Sequence, residues 1–379
     1  MTKIKIITIL IVFLGSLSSF YFPDFGGLRL FEFISFFLLF FVVSKGSFQK
    51  VDRNLLVFFI GIICYAVISV IVSIANNVNV LYLNQFYGVI FTSFMSFYFF
   101  LKYKNQSDLL VLGVRYLIVI HTFFFLYQYV NFYFIGNYID LIKPITGNTQ
   151  RNIGGVFSGD TSIRASGLYG EPAAYALNII SFNFILLIKE KKLKILNLVS
   201  LVTILLSMSA SGIIYLLLFV ALYFLFYNKN AYLKTRLLFI FAILVIAALS
   251  TRFIKTEYLV AKIMNFKNSE SYQYRIGNTF SDLMSFSDFE VLFGRGLGNL
   301  DIKYNKGSTY AIMLIEQGLV LGSVFFVMIF FLLKKFKVKH YNIAFIFVLF
   351  LGTHTFSQFQ FWFLILSVSI VSSYNYINE

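Results

Sequence analysis

From residue 6 to residue 374 the chain alternates long apolar runs with short polar breaks, and that alternation restricts its fold more than any other feature. A bilayer core of about 30 Å is crossed by roughly 20 apolar residues in a helix, or somewhat fewer where flanking groups help. Runs of that kind lie at 6–20, 30–43, 55–75, 81–101, 109–134, 173–188, 195–208, 212–227 and 237–250. Three more follow at 310–333, 343–352 and 361–374. The expected fold is therefore all-α, a polytopic membrane protein of about twelve transmembrane helices. The count becomes ten if the pairs around Ser209–Ser211 and around His354 are re-entrant. The expectation is a single integral membrane domain over residues 1–379.

Composition excludes a water-soluble globule. Hydrophobic residues make up 59% of the chain and charged residues 12%, where a soluble domain has about 45–50% and 25%. Too little charge remains to cover a surface in water. The lone Cys64 rules out disulfides within the chain, CxxC redox chemistry and thiolate zinc sites. No GxxxxGK[ST] phosphate loop occurs. The net charge of +15 would indicate nucleic acid in a soluble protein; here it concerns the membrane.

Charge also sets the expected orientation. Alternate connections carry Lys3 and Lys5; Lys45, Lys50 and Arg53; Lys102 and Lys104; Lys189, Lys191, Lys192 and Lys194; Lys229, Lys234 and Arg236; and Lys334, Lys335, Lys337 and Lys339. The short connections between them hold only Arg29. The positive-inside rule then places both termini in the cytoplasm. The first span is expected to be an uncleaved anchor, because the even topology places every later basic loop correctly. Two long loops, 135–172 and 251–309, fall on the outer side and are expected to form the working face.

The first of these loops ends in Arg164-Ala-Ser-Gly-Leu-Tyr-Gly-Glu171-Pro172. Pro172 suits the first position of a helix, and Glu171 then sits at the positive end of its dipole. Gly167 and Gly170 allow a tight fold that returns Arg164 over the same helix end. The pattern fits a salt-bridged cap or a guanidinium–carboxylate site. In the second loop Arg275 follows Ser271-Tyr-Gln-Tyr, with Asp282 two helical turns on. Gly294-Arg295-Gly296-Leu-Gly298 lacks the βαβ setting of a dinucleotide fingerprint and reads instead as a tight backbone turn. Arginine suits pyrophosphate, since its fork makes paired charge-assisted bonds. Within the spans, Arg115 is expected to snorkel to headgroups and His121 to pack. His354 has polar neighbours and is a candidate base.

Three of these patterns carry a family resemblance: Arg164-x-x-Gly167-x-x-x-Glu171-Pro172, the Ser207-x-Ser209-x-Ser211-Gly212 turn, and Phe293-Gly294-x-Gly296-x-Gly298 followed by Ser308-Thr309-Tyr310 and Gly318. With the overall layout, they make the chain resemble the O-antigen polymerase (Wzy-type) family from Leu109 onward. The resemblance implies a metal-independent, cofactor-free glycosyltransferase on the outer face of the bacterial cytoplasmic (inner) membrane. Such enzymes join undecaprenyl-pyrophosphate-linked oligosaccharide repeat units into O-antigen, capsule or exopolysaccharide. The partners implied are that lipid-linked glycan, the bilayer and a chain-length regulator protein, with no nucleic acid. Arg164 and Arg275 would contact the pyrophosphate, Glu171 would orient Arg164 or act as base, and His354 would be the competing base. Arg295, Gly294, Gly296 and Tyr310 would bind substrate. Related polymerases carry Arg-x10-Gly repeats, which this chain lacks: Tyr175 follows Arg164 at that spacing, and Phe286 follows Arg275. The alternatives are an O-antigen ligase, whose histidine is replaced here by Ser308-Thr309, and a lipid-linked oligosaccharide flippase.

Overall fold

The computed structural model describes residues 3–17, 20–22, 28–29, 53–76, 81–103, 106–147, 149–150, 164–228, 285–297, 308–352 and 358–378. The runs expected at 30–43 and 237–250, together with Arg275 and His354, lie outside those residues. Apart from a two-residue antiparallel pairing of β1 (Tyr21–Phe22) with β2 (Leu28–Arg29), the described regular structure is helical. In chain order the helices are α1 (Lys3–Ser16), α2 (Arg53–Ala75), α3 (Leu81–Tyr103), α4 (Ser107–Ile135), α5 (Lys143–Thr146) and α6 (Pro172–Glu190). Then follow α7 (Ile195–Leu206), α8 (Ala210–Leu222, continued by a π turn to Tyr227), α9 (Asp288–Phe293), α10 (Thr309–Lys335), α11 (His340–Leu349) and α12 (Phe359–Asn378). By length and composition, four helical runs among the described residues could cross a membrane, Leu56–Ala75, Ser107–Ile135, Pro172–Glu190 and Thr309–Lys335, the last of which is broken at Gly318.

The helices carry large apolar side chains on their outer faces as well as in their core. On α2, Leu56, Ile60, Val67, Ile71 and Ile74 are exposed, whereas Ser69 and Ser73 are fully buried. On α4, Tyr116, Val119, Phe123, Tyr127, Val130 and Phe134 form an exposed stripe at spacings of three and four. Apolar side chains facing out and small polar ones facing in is the pattern of helices solvated by lipid, and these faces suit a bilayer.

Two compact units form: Met1–Phe20 with Asp108–Phe266, and Tyr21–Ser107 with Lys267–Glu379. In the first, α6 is central, with fifteen of its nineteen residues buried. It packs on α8 where Gly212 meets Ala176; a Cβ added at Gly212 would lie 2.6 Å from the Ala176 Cβ. Against α7 it is tied by Tyr175 Oη to Thr203 Oγ1 at 2.6 Å and by Asn183 Nδ2 to Ser200 Oγ at 2.9 Å. Small residues and inter-helix hydrogen bonds hold helices together where burial of apolar surface supplies little. At the Lys189–Lys194 end, the Arg115 side chain is 41% exposed and also pairs within the protein. Both Nε and Nη2 bond Glu190 at the end of α6, and Lys194 joins the same carboxylate at 2.9 Å. His121 packs as expected, fully buried, with Nε2 2.8 Å from Ser16 Oγ of α1.

In the second unit an aromatic cluster centres on Phe325. Tyr65 of α2 (5.1 Å between centroids), Phe361 (5.9 Å) and Trp362 (6.1 Å) surround it. Here the expected single span at 310–333 is corrected. Gly318 has φ 64 and ψ −172, a backbone region open essentially to glycine alone, and the chain reverses there. The Tyr310 ring lies 5.0 Å from that of Phe326, whereas an unbroken helix would separate these residues by about 24 Å. Residues 309–317 are therefore an arm folded back along 319–335. Their N-terminus abuts the C-terminus of α11: Thr309 N–H donates to Phe350 O at 3.1 Å and Gly352 O at 2.9 Å, and Thr309 Oγ1 donates to Gly352 O at 2.9 Å. The two dipoles run head to tail across this junction, which favours it.

Candidate functional site

The turn before α6 is built from buried amides. Asp140 first closes the preceding loop: Oδ1 accepts from Ile142 N–H (2.9 Å) and Lys143 N–H (2.8 Å), and Oδ2 from Gln150 N–H (2.9 Å). That brings Gln150 beside Gln128 of α4, whose Nε2 donates to Gln150 Oε1 at 2.7 Å and to Ile139 O at 2.9 Å. Gln128 Oε1 accepts from two successive backbone groups, Ser166 N–H at 2.9 Å and Gly167 N–H at 3.1 Å. Gln150 Nε2 donates to Gly167 O at 2.6 Å and Tyr169 O at 3.0 Å. Both glutamines are buried, so these bonds carry the desolvation of the whole turn.

Close approach completes the clamp. Gly167 has φ +57, and a Cβ there would stand 3.1 Å from Phe125 N, so the turn lies directly on the α4 backbone. The Tyr169 ring stacks on His121 at 4.8 Å, with its hydroxyl 3.4 Å from His121 Nε2. Burial, then the neighbouring Tyr175, push the Tyr169 hydroxyl well above the ordinary phenol range, so it stays protonated. Glu171 is the N-cap residue of α6 and Pro172 its first residue, as the sequence pattern required; the Glu171 side chain makes no capping bond. Arg164 and Glu171 are both half-buried. Among the described residues no ion pair joins them, so the salt-bridged cap is not formed. The turn carries a half-buried cation and a half-buried carboxylate seven residues apart.

In the second unit, Gly294, Arg295 and Gly296 form a docking turn. A capping box starts α9, with Ser287 N–H donating to Glu290 Oε2 at 2.8 Å and Glu290 N–H to Ser287 Oγ at 3.3 Å. Arg295 Nε donates to Glu290 Oε1 at 2.9 Å, and its guanidinium lies 4.1 Å above the Phe286 ring. Partial burial acts to raise the Glu290 carboxyl, but the Ser287 hydrogen bonds and Arg295 outweigh it and hold the group below the usual carboxylate range. The backbone then inserts at the reversal in α10. Arg295 N–H donates to Ile315 O at 2.9 Å and Gly296 N–H to Glu316 O at 2.8 Å. A Cβ at Gly294 would strike the backbone of Glu316 and Gln317, and one at Gly318 the backbone of Gly294 and Leu292. Asn76 Nδ2 (3.3 Å, to Gly294 O) and Ser73 Oγ (3.1 Å, to Leu297 O) fasten the turn to α2.

Arg164 and Glu171 thus share one structured turn in the first unit. Gly294, Arg295 and Gly296 share another in the second, where the three N–H groups are bonded within the protein. Tyr310 lies at the opposite end of the arm 309–317, its hydroxyl donating to Phe347 O at 2.7 Å. Sequence reasoning missed Gln128, Gln150 and Asp140. Gln128 was detectable as an uncharged amide inside an apolar span, where an unpaired amide is costly. Ser69, Ser73 and Asn76 were detectable by their near-helical spacing; Ser69 Oγ donates to Gln317 Oε1 at 2.5 Å. Among the described residues no three His, Cys, Asp or Glu side chains are placed to hold a metal ion. Compared with protein-family models, with curated proteins and with solved structures, the chain matches none.

Proposed function

We propose that the chain is a membrane-embedded glycosyltransferase of the O-antigen polymerase type. It joins lipid-pyrophosphate-linked oligosaccharide repeat units on the outer face of the bacterial cytoplasmic membrane, with both termini in the cytoplasm. The observation that carries this reading is the turn from Arg164 to Glu171. Buried glutamines fix it between the middle of α4 and the start of α6, and among the described residues no ion pair joins its cation to its carboxylate. In the proposed reaction an acceptor hydroxyl attacks the anomeric carbon of the donor glycan. The bond from that carbon to the pyrophosphate oxygen breaks, and the lipid pyrophosphate leaves. Arg164 stabilises the charge that develops on the leaving group, as a preorganised cation in a low-dielectric site does. Arg275 has the same role in this reading. Glu171 or His354 accepts the hydroxyl proton. Arg295, Gly294, Gly296 and Tyr310 belong to the substrate-binding set, and a chain-length regulator is the proposed protein partner.

The test is a gel of surface glycan and lipid-linked intermediates from a deletion strain, its complemented strain and one complemented with Arg164→Ala. Single repeat units transferred to the final acceptor without the long ladder identify a polymerase. Arg164→Ala is expected to reduce polymerisation by about 10²-fold. A normal ladder at normal protein abundance refutes the role of Arg164. Loss of all transferred units, with intermediates held on the carrier lipid, would assign a ligase or flippase instead.

A further inference from the structure

We infer that Arg115, Lys192 and Lys194 bind the phosphate of an anionic phospholipid, at the end of the first unit where α6 gives way to α7. An imbalance of charge marks the place. Arg115 Nε donates to Glu190 Oε1 at 3.1 Å, Nη2 bonds the same oxygen, and Lys194 Nζ lies 2.9 Å from Glu190 Oε2. Two cations share one carboxylate, so the triad keeps a net positive charge. The carboxylate lies inside and the cations outside: the Glu190 side chain is 7% exposed, those of Arg115 and Lys194 41% and 46%. Arg115 Nη1 has no partner among the described residues, and neither has the exposed ammonium of Lys192. The neighbouring pair, Lys189 Nζ to Asp108 Oδ1 at 2.9 Å, is neutral in itself and leaves the surplus in place.

The side chains flanking these cations are apolar and face outward. Tyr116 follows Arg115 directly and Val119 lies one turn on; both are exposed on α4. Ile195 follows Lys194 directly and is 80% exposed, with Leu198 and Val199 exposed a turn later on α7. A surplus cation at the edge of exposed apolar faces is matched by a phosphate that carries acyl chains. The leftover guanidinium N–H groups suit phosphate oxygens, with which arginine makes charge-assisted bonds, and each lysine adds a point charge. The long stems of these residues lie along apolar surface while their charged heads reach the headgroups. A free phosphate would satisfy the cations but leave Ile195, Leu198 and Val199 bare, and a zwitterionic lipid would bring a cation of its own to the same place. An anionic phospholipid meets both the charge and the apolar surface. Nothing in this geometry depends on the chain being a polymerase, or on which side of the membrane this end faces.

Native mass spectrometry of the purified, delipidated protein in a non-ionic detergent decides it, with phosphatidylglycerol and phosphatidylcholine of identical acyl chains titrated separately. The first phosphatidylglycerol should bind at least about 10-fold tighter than the first phosphatidylcholine. Equal affinities overturn the anionic lipid. Lys192→Gln together with Lys194→Gln keeps the Arg115–Glu190 pair and should weaken phosphatidylglycerol about 30-fold while leaving phosphatidylcholine as it was. Lys334→Gln with Lys335→Gln removes the same charge at the end of α10 and should leave the first phosphatidylglycerol in place. Equal losses in the two double variants would mean diffuse attraction to basic ends and would overturn the site. Inorganic phosphate that displaces the lipid at millimolar concentration would mean a site for the free anion and would overturn the phospholipid. If the first double variant does not accumulate, Lys192→Gln alone, at an exposed residue, carries the same test at about 5-fold.

Discussion

Replacing Gly318 by alanine tests the reversal in α10 directly. At φ 64 and ψ −172 a side chain meets backbone strain of about 1–3 kcal/mol. The added methyl also lands on the Gly294 N and on the Leu292 carbonyl carbon and oxygen, all main-chain atoms that cannot rotate away. Overpacking of that kind costs about another 1–3 kcal/mol. The sum, about 2–6 kcal/mol, lowers the folded-to-unfolded ratio at least ~25-fold at 1.4 kcal/mol per decade. Gly322, four residues on, is the control. A Cβ there would sit at an ordinary 3.7 Å from Met313 O, and glycine to alanine inside a helix gains up to about 1 kcal/mol. Reversible unfolding of the purified protein, titrated from mild detergent into SDS, compares the two variants. Gly318→Ala within about 0.5 kcal/mol of Gly322→Ala would show that the helix runs straight and would refute the fold-back.

Gln128→Leu keeps the volume but strands Ser166 N–H, Gly167 N–H and Ile139 O. At about 1–3 kcal/mol for each buried orphan, trypsin cleavage at Arg164 should rise by at least ~10²-fold; unchanged cleavage would refute the clamp. Gly212→Ala forces α6 and α8 apart at Ala176, so the variant should lose stability and regain it on adding Ala176→Gly. No recovery in the double variant would mean the two helices do not meet there. Glu290 has its folded carboxyl below the usual range, so its contribution is present above the unfolded value of about 4.5 and is lost as pH falls through the folded value. Thermal stability of the natural protein should therefore drop further between pH 7 and pH 4 than that of Glu290→Gln; equal drops would refute the pairing with Arg295.

What could be read in advance divides by the distance over which each feature is decided. The apolar helices among the described residues were legible, though not how many of them span, because a bilayer admits few solutions for backbone polar groups and apolar runs become helices wherever the tertiary contacts lie. Glu171 and Pro172 were legible because an N-terminus is a matter of adjacent residues. Gly318 and Gly322 look alike in sequence, both glycines in one apolar run. The backbone of Leu292 and Gly294, more than twenty residues earlier, decides which of them carries the reversal. Arg115 likewise gave no hint of Glu190, which lies 75 residues away. The Arg164 turn is the intermediate case. Its cation, glycines and carboxylate are local and were visible, but the amides that hold it come from 38 residues upstream at Gln128 and 16 at Gln150. A site in such a chain is thus nominated by local chemistry and made rigid by distant, uncharged side chains. Substitutions at the glutamines therefore test positioning, because they leave the Arg164 and Glu171 side chains unchanged and remove only what holds their turn.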